Sequence, residues 1–531
     1  MKYTILNISN SPYGLKGSTY TFKSSNGVCV WPKENGFYLG VAGIWNFLFR
    51  LGIKPKLITF ENLIECDIET ILFVTLDVNP SNNIKEFLKK WINKGKVLIA
   101  SGHSEAWLDI LGIEGEILLV PYPYAAFGYV CFGGDGNIEI VAPPKWPFMR
   151  VTERSGGGDV GLIGNLVAIR GERQTPSRAL ISPLENAPAI IRKRNSFYLN
   201  GAPFNALQAW LQGQEDLGPW LHWRHRLFWL DEMVLFLKNT LIDIGALPEE
   251  IRKSKIPGME KITVVLRHDL DSSRDTSYID LEDAHGVPAV HAVLKDRNTG
   301  FWVNLLKSRS NHESAFHYNT VENKTWYSKI RQRLGVKARG YKPARREIAG
   351  KGLLKQVQWA KRHGIGVSTL HRHFSFLIYP EWIDAMDFVF SEEEEVLGSS
   401  SVFRAIVLRW GIDCADGASG TTGEFPDPQF PFWFPFKLAH AGRGGQVVRG
   451  WESTSVMEIE PELFEQIVNH AKKLDLPHFV FTLSFHPAHA KNPTFCEKGS
   501  VVYFRSIIES IINKEIPIRT LAHVYSFLNE R

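Results

Sequence analysis

An apolar strand that ends in closely spaced acids constrains the fold of this chain more than any other feature. The residues from Ile262 to Leu266 are typical of a buried strand, and Asp269 and Asp271 follow within a few positions. Acids rarely end a buried strand unless their charge is paired or bound to a cation. In α/β folds the carboxyl ends of the strands are also where catalytic groups gather. The pattern therefore predicts half of a metal-hydrolase site, in which one carboxylate holds the ion and the other takes a proton from bound water.

Length and composition predict a globular protein with at least two domains. The chain has 531 residues, whereas single cores stop growing at about 250–300 residues. The net charge of +5 is too small to argue for a nucleic-acid partner. The five cysteines form no Cys-x-x-Cys pair, which favours reduced thiols over disulfides or a zinc knuckle. Because the sequence shows neither a secretory signal nor a long apolar run, we expect a cytoplasmic protein without an integral membrane segment.

The first hundred residues alternate between strand-like and helix-like patterns. Short apolar runs at 56–59, 70–76 and 96–101 suit buried strands, and residues 84–92 repeat apolar side chains on one helical face. Asn82 or Asn83 suits the start of this helix, and a glycine after it suits its end. Strand, helix and strand in this order predict a parallel sheet.

This region resembles the glutamine-amidotransferase-like domains that are attached to many glycan enzymes. The resemblance covers about eighty residues and implies a Rossmann-like α/β domain, which we expect to extend over residues 1–250. Apolar spacing predicts a linking helix from Leu221 to about Leu247 within it. The nucleophilic cysteine of such a fold is not apparent. Ser101-Gly102-His103 stands at a plausible place but does not match the Gly-x-Ser-x-Gly pattern. We therefore expect a non-catalytic scaffold or binding domain, with catalysis at these residues as the alternative.

Three further candidate strand segments of the second half end in histidine. His317 ends a segment that begins at Asn311, His371 and His373 end the next, and His486 ends the segment that begins at Phe479. Several strands that each end in Asp or His suit a barrel whose active face collects residues from distant parts of the sequence.

Residues 259–531 resemble the polysaccharide deacetylase family, the NodB-homology carbohydrate esterases. The first hallmark of that family is a strand that ends in paired acids, here Asp269 and Asp271. The second reads approximately G-H-E-I-G-L-H-x-x-x-H, and its first seven positions correspond to residues 311–317. The last is a strand that ends in His-Pro, here at His486. The resemblance implies an irregular (β/α) barrel in which Asp269 is the general base, Asp271 and His317 are metal ligands, and His486 is the general acid.

The chain departs from the family where a further metal ligand is expected, because that position is Val321. His371 and His373 are the best replacements. The family also supports its base with an arginine near a proline, and Arg339 and Arg345 are both candidates; our working assignment places Arg345 at the base and Arg339 at the substrate. The implied cofactor is a divalent metal, zinc in the first place, with nickel, cobalt or iron as alternatives.

The expected reaction is the removal of an acetyl or similar acyl group from an amino sugar. The substrate would be a polysaccharide or its precursor in the synthesis of envelope glycans. Trp433 stands among several aromatics that suit either stacking on sugar rings or core packing, and we assign it to the substrate. Asp384 or Asp387 is a candidate to orient the acidic histidine. Val321 motivates the alternative function, a catalytically impaired glycan-binding protein on the same barrel.

Overall fold

The computed structural model describes most of the chain. The described residues are 2–7, 19–24, 27–59, 70–76, 79–102, 104–119, 128–132, 147–152, 159–164, 166–170, 180–183, 185–211, 228–270, 273–318, 358–372, 414–418, 432–439, 448–491 and 497–529.

The architecture is mixed α/β with several sheets, as the sequence predicts. The chain divides into two compact units. The first consists of Met1–Ile256, Lys437–Arg449 and Asp475–Pro477, and the second of Pro257–Phe436, Gly450–Leu474 and His478–Arg531. None of the helices in the described residues combines the length and apolar character that a bilayer crossing requires.

The first unit contains fourteen strands within the described residues. They are β1 (Lys2–Asn7), β2 (Thr19–Ser24), β3 (Gly27–Pro32), β4 (Lys56–Thr59), β5 (Thr70–Thr75), β6 (Leu98–Ser101), β7 (Gly115–Leu119), β8 (Gly128–Phe132), β9 (Pro147–Val151), β10 (Val160–Ile163), β11 (Leu166–Arg170), β12 (Leu180–Pro183), β13 (Ile190–Lys193) and β14 (Ser196–Leu199). Seven of them form one sheet with the order β10-β13-β14-β6-β5-β1-β4. Adjacent strands from β14 to β4 pair in parallel, whereas β13 pairs antiparallel with β14 and with β10. The helices are α1 (Lys33–Arg50), α2 (Asn82–Asn93), α3 (Ala106–Leu111), α4 (Pro203–Leu211) and α5 (Trp229–Asp243), followed by a 3-10 turn at Glu249–Lys253.

Helix α2 forms where the apolar spacing predicts it. Its buried side chains are Ile84, Leu88, Trp91 and Ile92, and they join the apolar core beneath β5 and β6. Each such burial contributes roughly 1.5–3 kcal/mol relative to an exposed side chain. The helix ends at Asn93, and the chain turns at Gly95. The φ of Gly95 is 69°, in the left-handed region that glycine adopts without strain.

The linking helix is shorter than the sequence suggests. Helix α5 begins at Trp229 and ends at Asp243 rather than at Leu247, because the chain turns at Gly245 with a φ of 75°. Residues 212–227 lie outside the described part. Ser101 of the alternative catalytic segment is fully buried at the end of β6, and His103 is not among the described residues.

A second sheet carries the predicted site residues of the second half of the chain. Its strands are β15 (Ile262–Asp269), β16 (Ala289–Leu294), β17 (His312–Tyr318), β18 (Gly366–Arg372), β19 (Cys414–Ala418), β20 (Phe436–Ala439), β21 (Val448–Met457) and β22 (Phe479–Phe485). The order along the sheet is β18-β17-β16-β15-β22-β21-β19, and the pairings along this path are parallel. The helices are α6 (Ser277–His285), α7 (Thr299–Lys307), α8 (Pro461–Lys473), α9 (Val501–Asn513) and α10 (Leu521–Leu528), with 3-10 turns at Pro487–His489 and Glu497–Gly499. Cα atoms of β18 and β19, the two end strands, come within 8 Å of each other, yet no backbone pairing joins these strands in the described residues.

The alternation of side chains along β15 gives the sheet two chemically different faces. Arg267 and Asp269 lie on one side, which we name the Asp269 face, and His268 lies on the other, which we name the His268 face. The register continues both faces into the neighbouring strands, because His268 pairs with His291 of β16 and Asp269 pairs with Ala292.

Aromatic rings from α6 and α9 cover the His268 face. Tyr278 of α6 packs against Phe504 of α9 with ring centroids 4.6 Å apart, and Phe504 packs against Phe485 of β22 at 4.8 Å. The packing excludes water from this side of β15, since the side chain of His268 is completely buried.

Candidate active site

Asp269 is held at the end of β15 by an arginine of the same strand. Nη2 of Arg267 donates to both carboxylate oxygens of Asp269, at 2.7 and 3.0 Å. Nη1 of Arg267 donates to the hydroxyl of Ser455 on β21, at 2.8 Å. Arg267 is only 1% exposed. The two residues are neighbours because positions two apart on a strand point to the same side. A charge-assisted pair in this geometry fixes the orientation of the carboxylate.

His486 brings an imidazole to the same carboxylate. It follows β22 directly, and β22 lies beside β15 in parallel, so both residues stand at the carboxyl edge of the sheet. Its Nε2 lies 3.7 Å from Oδ2 of Asp269. The side chains of Asp269 and His486 are 9% and 13% exposed, so both retain limited contact with solvent.

Glu458 orients the ring of His486. Its Oε1 accepts hydrogen bonds from the backbone N–H and from Nδ1 of His486, both at 3.0 Å, and from Nδ1 of His489 at 2.7 Å. Because Nδ1 of His486 carries the proton that Glu458 accepts, Nε2 is the atom at which this ring exchanges a proton on the side of Asp269.

The backbone at Glu458 takes an unusual conformation to reach this position. Its φ is 45°, in the left-handed region that a side chain with a Cβ seldom adopts. Its N–H donates to the carbonyl of Ser484 on β22 at 2.9 Å, which holds the turn that follows β21. Such conformations cluster at functional sites, where the surroundings enforce them.

The pKa of the Glu458 carboxyl is held well below its ordinary value. Burial is the largest influence and raises the pKa, but it is outweighed by the hydrogen bonds from His486 and His489 and by the charges of these rings. Glu458 is therefore an anion at neutral pH.

Gly499 lets the chain pass close to this group. A Cβ at Gly499 would lie 2.7 Å from Cβ of His489 and 2.9 Å from Cδ of Glu458. The carbonyl oxygen of Gly499 accepts a hydrogen bond from the hydroxyl of Tyr278. A side chain at this position would have to displace Glu458 or His489.

Glu458, His486 and His489 lie close enough together to hold a metal ion. Their hydrogen bonds also suit a different role, because the carboxylate accepts from both rings and from the backbone of His486. This pattern is the one by which a carboxylate orients a general acid.

His317 lies on the Asp269 face, as the metal-ligand prediction requires. The register aligns Asp269 with Ala292 of β16 and Ala292 with Ala315 of β17, and His317 follows two residues later on the same side. It is 1% exposed. In the neighbouring β18 the residue in register with His317 is His371. The two positions are therefore adjacent at the carboxyl edge of the sheet.

The other predicted site residues divide into two groups. Asp271, His373, Arg339, Arg345, Val321, Asp384 and Asp387 lie outside the described residues, and so does the side chain of His371. Trp433 is described and is completely buried, with its ring packed edge-on against Phe481 at 4.8 Å between centroids. The assignment of Trp433 to the substrate is therefore corrected, because the indole is part of the core.

The sequence analysis missed two residues of this site, Arg267 and Glu458. The sequence instead predicts that an arginine near a proline orients the base, and that Asp384 or Asp387 orients the acidic histidine. Arg267 could have been found from its position two residues before Asp269, on the same side of a strand. Glu458 directly follows β21, but that strand is largely polar in sequence, so the apolar pattern that singled out Asp269 is absent there.

Comparisons of the chain with protein-family models, with curated proteins and with solved structures give no significant match.

Proposed function

We propose that this chain is a metal-dependent hydrolase that removes an N-acyl group, acetyl in the first place, from an amino sugar of a polysaccharide or its precursor. The observation that carries the proposal is that two hydrogen-bonded side-chain pairs lie next to each other at the carboxyl edge of the sheet. Asp269 is paired with Arg267, His486 is paired with Glu458, and Nε2 of His486 stands 3.7 Å from Asp269.

The two pairs supply the groups that amide hydrolysis needs. A general base must take a proton from water as the water attacks the acyl carbon, and a general acid must protonate the nitrogen as the C–N bond breaks. Asp269, oriented by Arg267, suits the base. His486, oriented by Glu458, suits the acid, because an amine anion is too basic to leave unprotonated near neutral pH and an imidazole can donate a proton in that range.

The divalent ion would polarise the acyl carbonyl and lower the pKa of the attacking water. His317 offers a nitrogen ligand on the Asp269 face, and imidazole nitrogen is a preferred zinc ligand. Position 371 is in register with His317 on the neighbouring strand, and we include His371 in the proposed ligand set. The resemblance in the sequence adds Asp271 and His373 to the proposed ligand set.

We also propose a specific fold for each of the two predicted domains. An entirely parallel path of strands with its end strands in proximity supports the irregular (β/α) barrel of the polysaccharide deacetylases over residues 259–531. The parallel order from β14 to β4 supports an amidotransferase-like or Rossmann-like domain over residues 1–250.

Hydrolysis of an N-acetylated amino-sugar oligomer by the purified full-length chain tests the proposal. Free amine and acetate are measured in parallel, with zinc present and after removal of metal by a chelator. We expect equal amounts of both products from the wild type, a loss on chelation, and recovery when zinc, nickel, cobalt or iron is restored. Asp269→Asn and His486→Gln should each lower the rate by about 10²- to 10⁴-fold.

Exposed residues of the same types provide matched controls. Asp243→Asn and His523→Gln change exposed side chains in α5 and α10, and both should leave the rate unchanged. Full activity in Asp269→Asn and in His486→Gln would refute the assignment of the acid and the base. Oligomer binding without release of acetate, in the presence of each metal, would instead favour the glycan-binding alternative.

A further inference from the structure

A second group of titratable side chains lies on the His268 face, on the opposite side of β15 from the candidate active site. It consists of His268, Glu282, His291 and His312. The side chains of His268, Glu282 and His312 are completely buried, and that of His291 is 1% exposed. The acid and base roles proposed for the Asp269 face use none of them.

The fold brings these four residues together from three strands and one helix. His268 and His291 are paired in the register of β15 and β16. His312 of β17 is in register with Ala289, two residues before His291 and therefore on the same face. Glu282 comes from α6, which packs over this side of the sheet.

Three of the ligand atoms form a compact triangle. Nε2 of His291 lies 3.1 Å from Nδ1 of His312 and 3.5 Å from Oε2 of Glu282. Nδ1 of His312 lies 3.8 Å from the same Oε2. A tetrahedral zinc ion with bonds of about 2.0–2.1 Å places its ligand atoms about 3.3–3.4 Å apart. The three edges thus bracket the spacing that zinc imposes.

His268 supplies a fourth nitrogen next to this triangle. Its Nε2 lies 2.5 Å from Oε1 of Glu282, and the ring stacks on that of His291 with centroids 5.0 Å apart. One ligand atom each from His268, Glu282 and His291 can be chosen so that all lie within 4.8 Å of one another. Three imidazoles and one carboxylate make a complete ligand set for a closed zinc site.

A carboxylate outside the triangle orients one of the ligands. Nε2 of His312 lies 3.1 Å from Oδ1 of Asp283, which is itself paired with Arg309. A proton on Nε2 leaves the lone pair of Nδ1 directed at the triangle. Histidines that bind metals almost always donate their other ring N–H to a carboxylate, a carbonyl or water.

Hydrogen bonds alone leave this group incomplete. Oε2 of Glu282 has no hydrogen-bond partner among the described residues, although the side chain is completely buried. A buried carboxylate with an unsatisfied oxygen is costly, and a bound cation would satisfy it. The pKa of His291 is lowered well below its ordinary value, mainly by burial and further by His268 and His312. Neutral imidazole is the form that binds metals.

We propose that His268, Glu282, His291 and His312 bind one divalent transition-metal ion, Zn²⁺ in the first place, as a structural site between the sheet and α6. The ligands close the site without an open position, so the ion stabilises the fold and does not meet substrate. This ion is distinct from the one proposed for the Asp269 face. His312 and His317 are five positions apart on β17, so their side chains point to opposite sides of the sheet.

Metal titration of the full-length wild-type chain tests the site without any substitution. After removal of metal, Co²⁺ is added as a spectroscopic probe and Zn²⁺ as its competitor. We expect one equivalent of Co²⁺ with the intense visible absorption of tetrahedral coordination, displaced by one equivalent of Zn²⁺. The absence of a tetrahedral Co²⁺ signal from the folded wild-type chain would overturn the proposal.

Variants then assign that equivalent to one face of the sheet. His291→Gln should remove the tetrahedral signal, and Asp283→Asn should weaken its affinity about 10- to 100-fold through the loss of support for His312. His285→Gln changes an exposed histidine at the end of the same helix and should bind as the wild type does. His317→Gln should also keep the signal, even where it abolishes the hydrolase activity. If His317→Gln removes the tetrahedral ion and both His291→Gln and Asp283→Asn retain it unchanged, the ion belongs to the Asp269 face and the proposal is wrong.

Discussion

The two faces of β15 carry similar residues in opposite environments. On the Asp269 face, Asp269, His486 and His489 retain exposed fractions of 9%, 13% and 16%. On the His268 face, the side chains of His268 and Glu282 are completely buried. A charge that must exchange protons with water or substrate needs some access to solvent, whereas an enclosed carboxylate needs a permanent partner. The role of a histidine or an acid in this sheet therefore depends on which face its side chain occupies.

The largest effect is expected from breaking the ion pair on the Asp269 face. Arg267→Met removes the guanidinium that donates to both carboxylate oxygens of Asp269. Removal of one member of a buried ion pair costs about 3–5 kcal/mol in the free energy of unfolding. Urea unfolding of the purified chain measures the change. Arg505→Met, at an exposed position of α9, should stay within about 0.5 kcal/mol of the wild type. A change of that small size in Arg267→Met would show that the pair is not structurally important.

Metal removal should act through the His268 face. Zinc at a free concentration of about 100 times its dissociation constant adds about 2.7 kcal/mol to the free energy of unfolding. We expect His312→Gln to remove the part of this gain that the His268 face supplies and Glu458→Gln to retain that part, in thermal unfolding with and without zinc. Loss of the gain in Glu458→Gln alone would instead assign the stabilising ion to Glu458, His486 and His489.

Acid should weaken the Asp269 face through Glu458. The pKa of Glu458 in the folded chain lies below the ordinary carboxyl value of about 4.3, so its stabilising contribution is complete above that value and disappears as the pH falls below it. Glu458→Gln should therefore cost about 1.5–3 kcal/mol near neutral pH, as expected for hydrogen bonds to a charged group. Unfolding at several pH values should show this difference shrink below about pH 4. A difference that does not depend on pH would contradict the charged role.

The smallest effect is expected at Gly499. Gly499→Ala inserts a methyl group 2.7 Å from Cβ of His489, and overpacking of this kind costs about 1–3 kcal/mol. The displaced Glu458 should also lower the hydrolase rate through a misplaced His486. Gly300→Ala is the matched control, because a Cβ at Gly300 would have no atom of the described residues within 4 Å. Equal behaviour of the two variants in unfolding and in rate would show that the close approach at Gly499 is not needed.

Local pattern was enough to find the ends of the strands but not what surrounds them. Asp269 and His486 follow apolar runs, and their adjacency follows once β15 and β22 are neighbours. That pairing joins segments more than two hundred residues apart, which local periodicity does not specify. The group on the His268 face depends on the same kind of information, because His268 meets His291 only through the register of two strands. Trp433 shows the converse limit, since an aromatic residue suits a core and a sugar site equally well until its burial is known.

The residue-by-residue interleaving along β15 has a consequence for how this protein can change during evolution. Arg267 and Asp269 alternate with His268, so a single inserted or deleted residue in the strand would turn each side chain beyond it toward the wrong layer. Substitutions can alter either set separately, but a change of length would damage both at once. Among descendants of this chain, the length of β15 should therefore vary less than the identity of its residues.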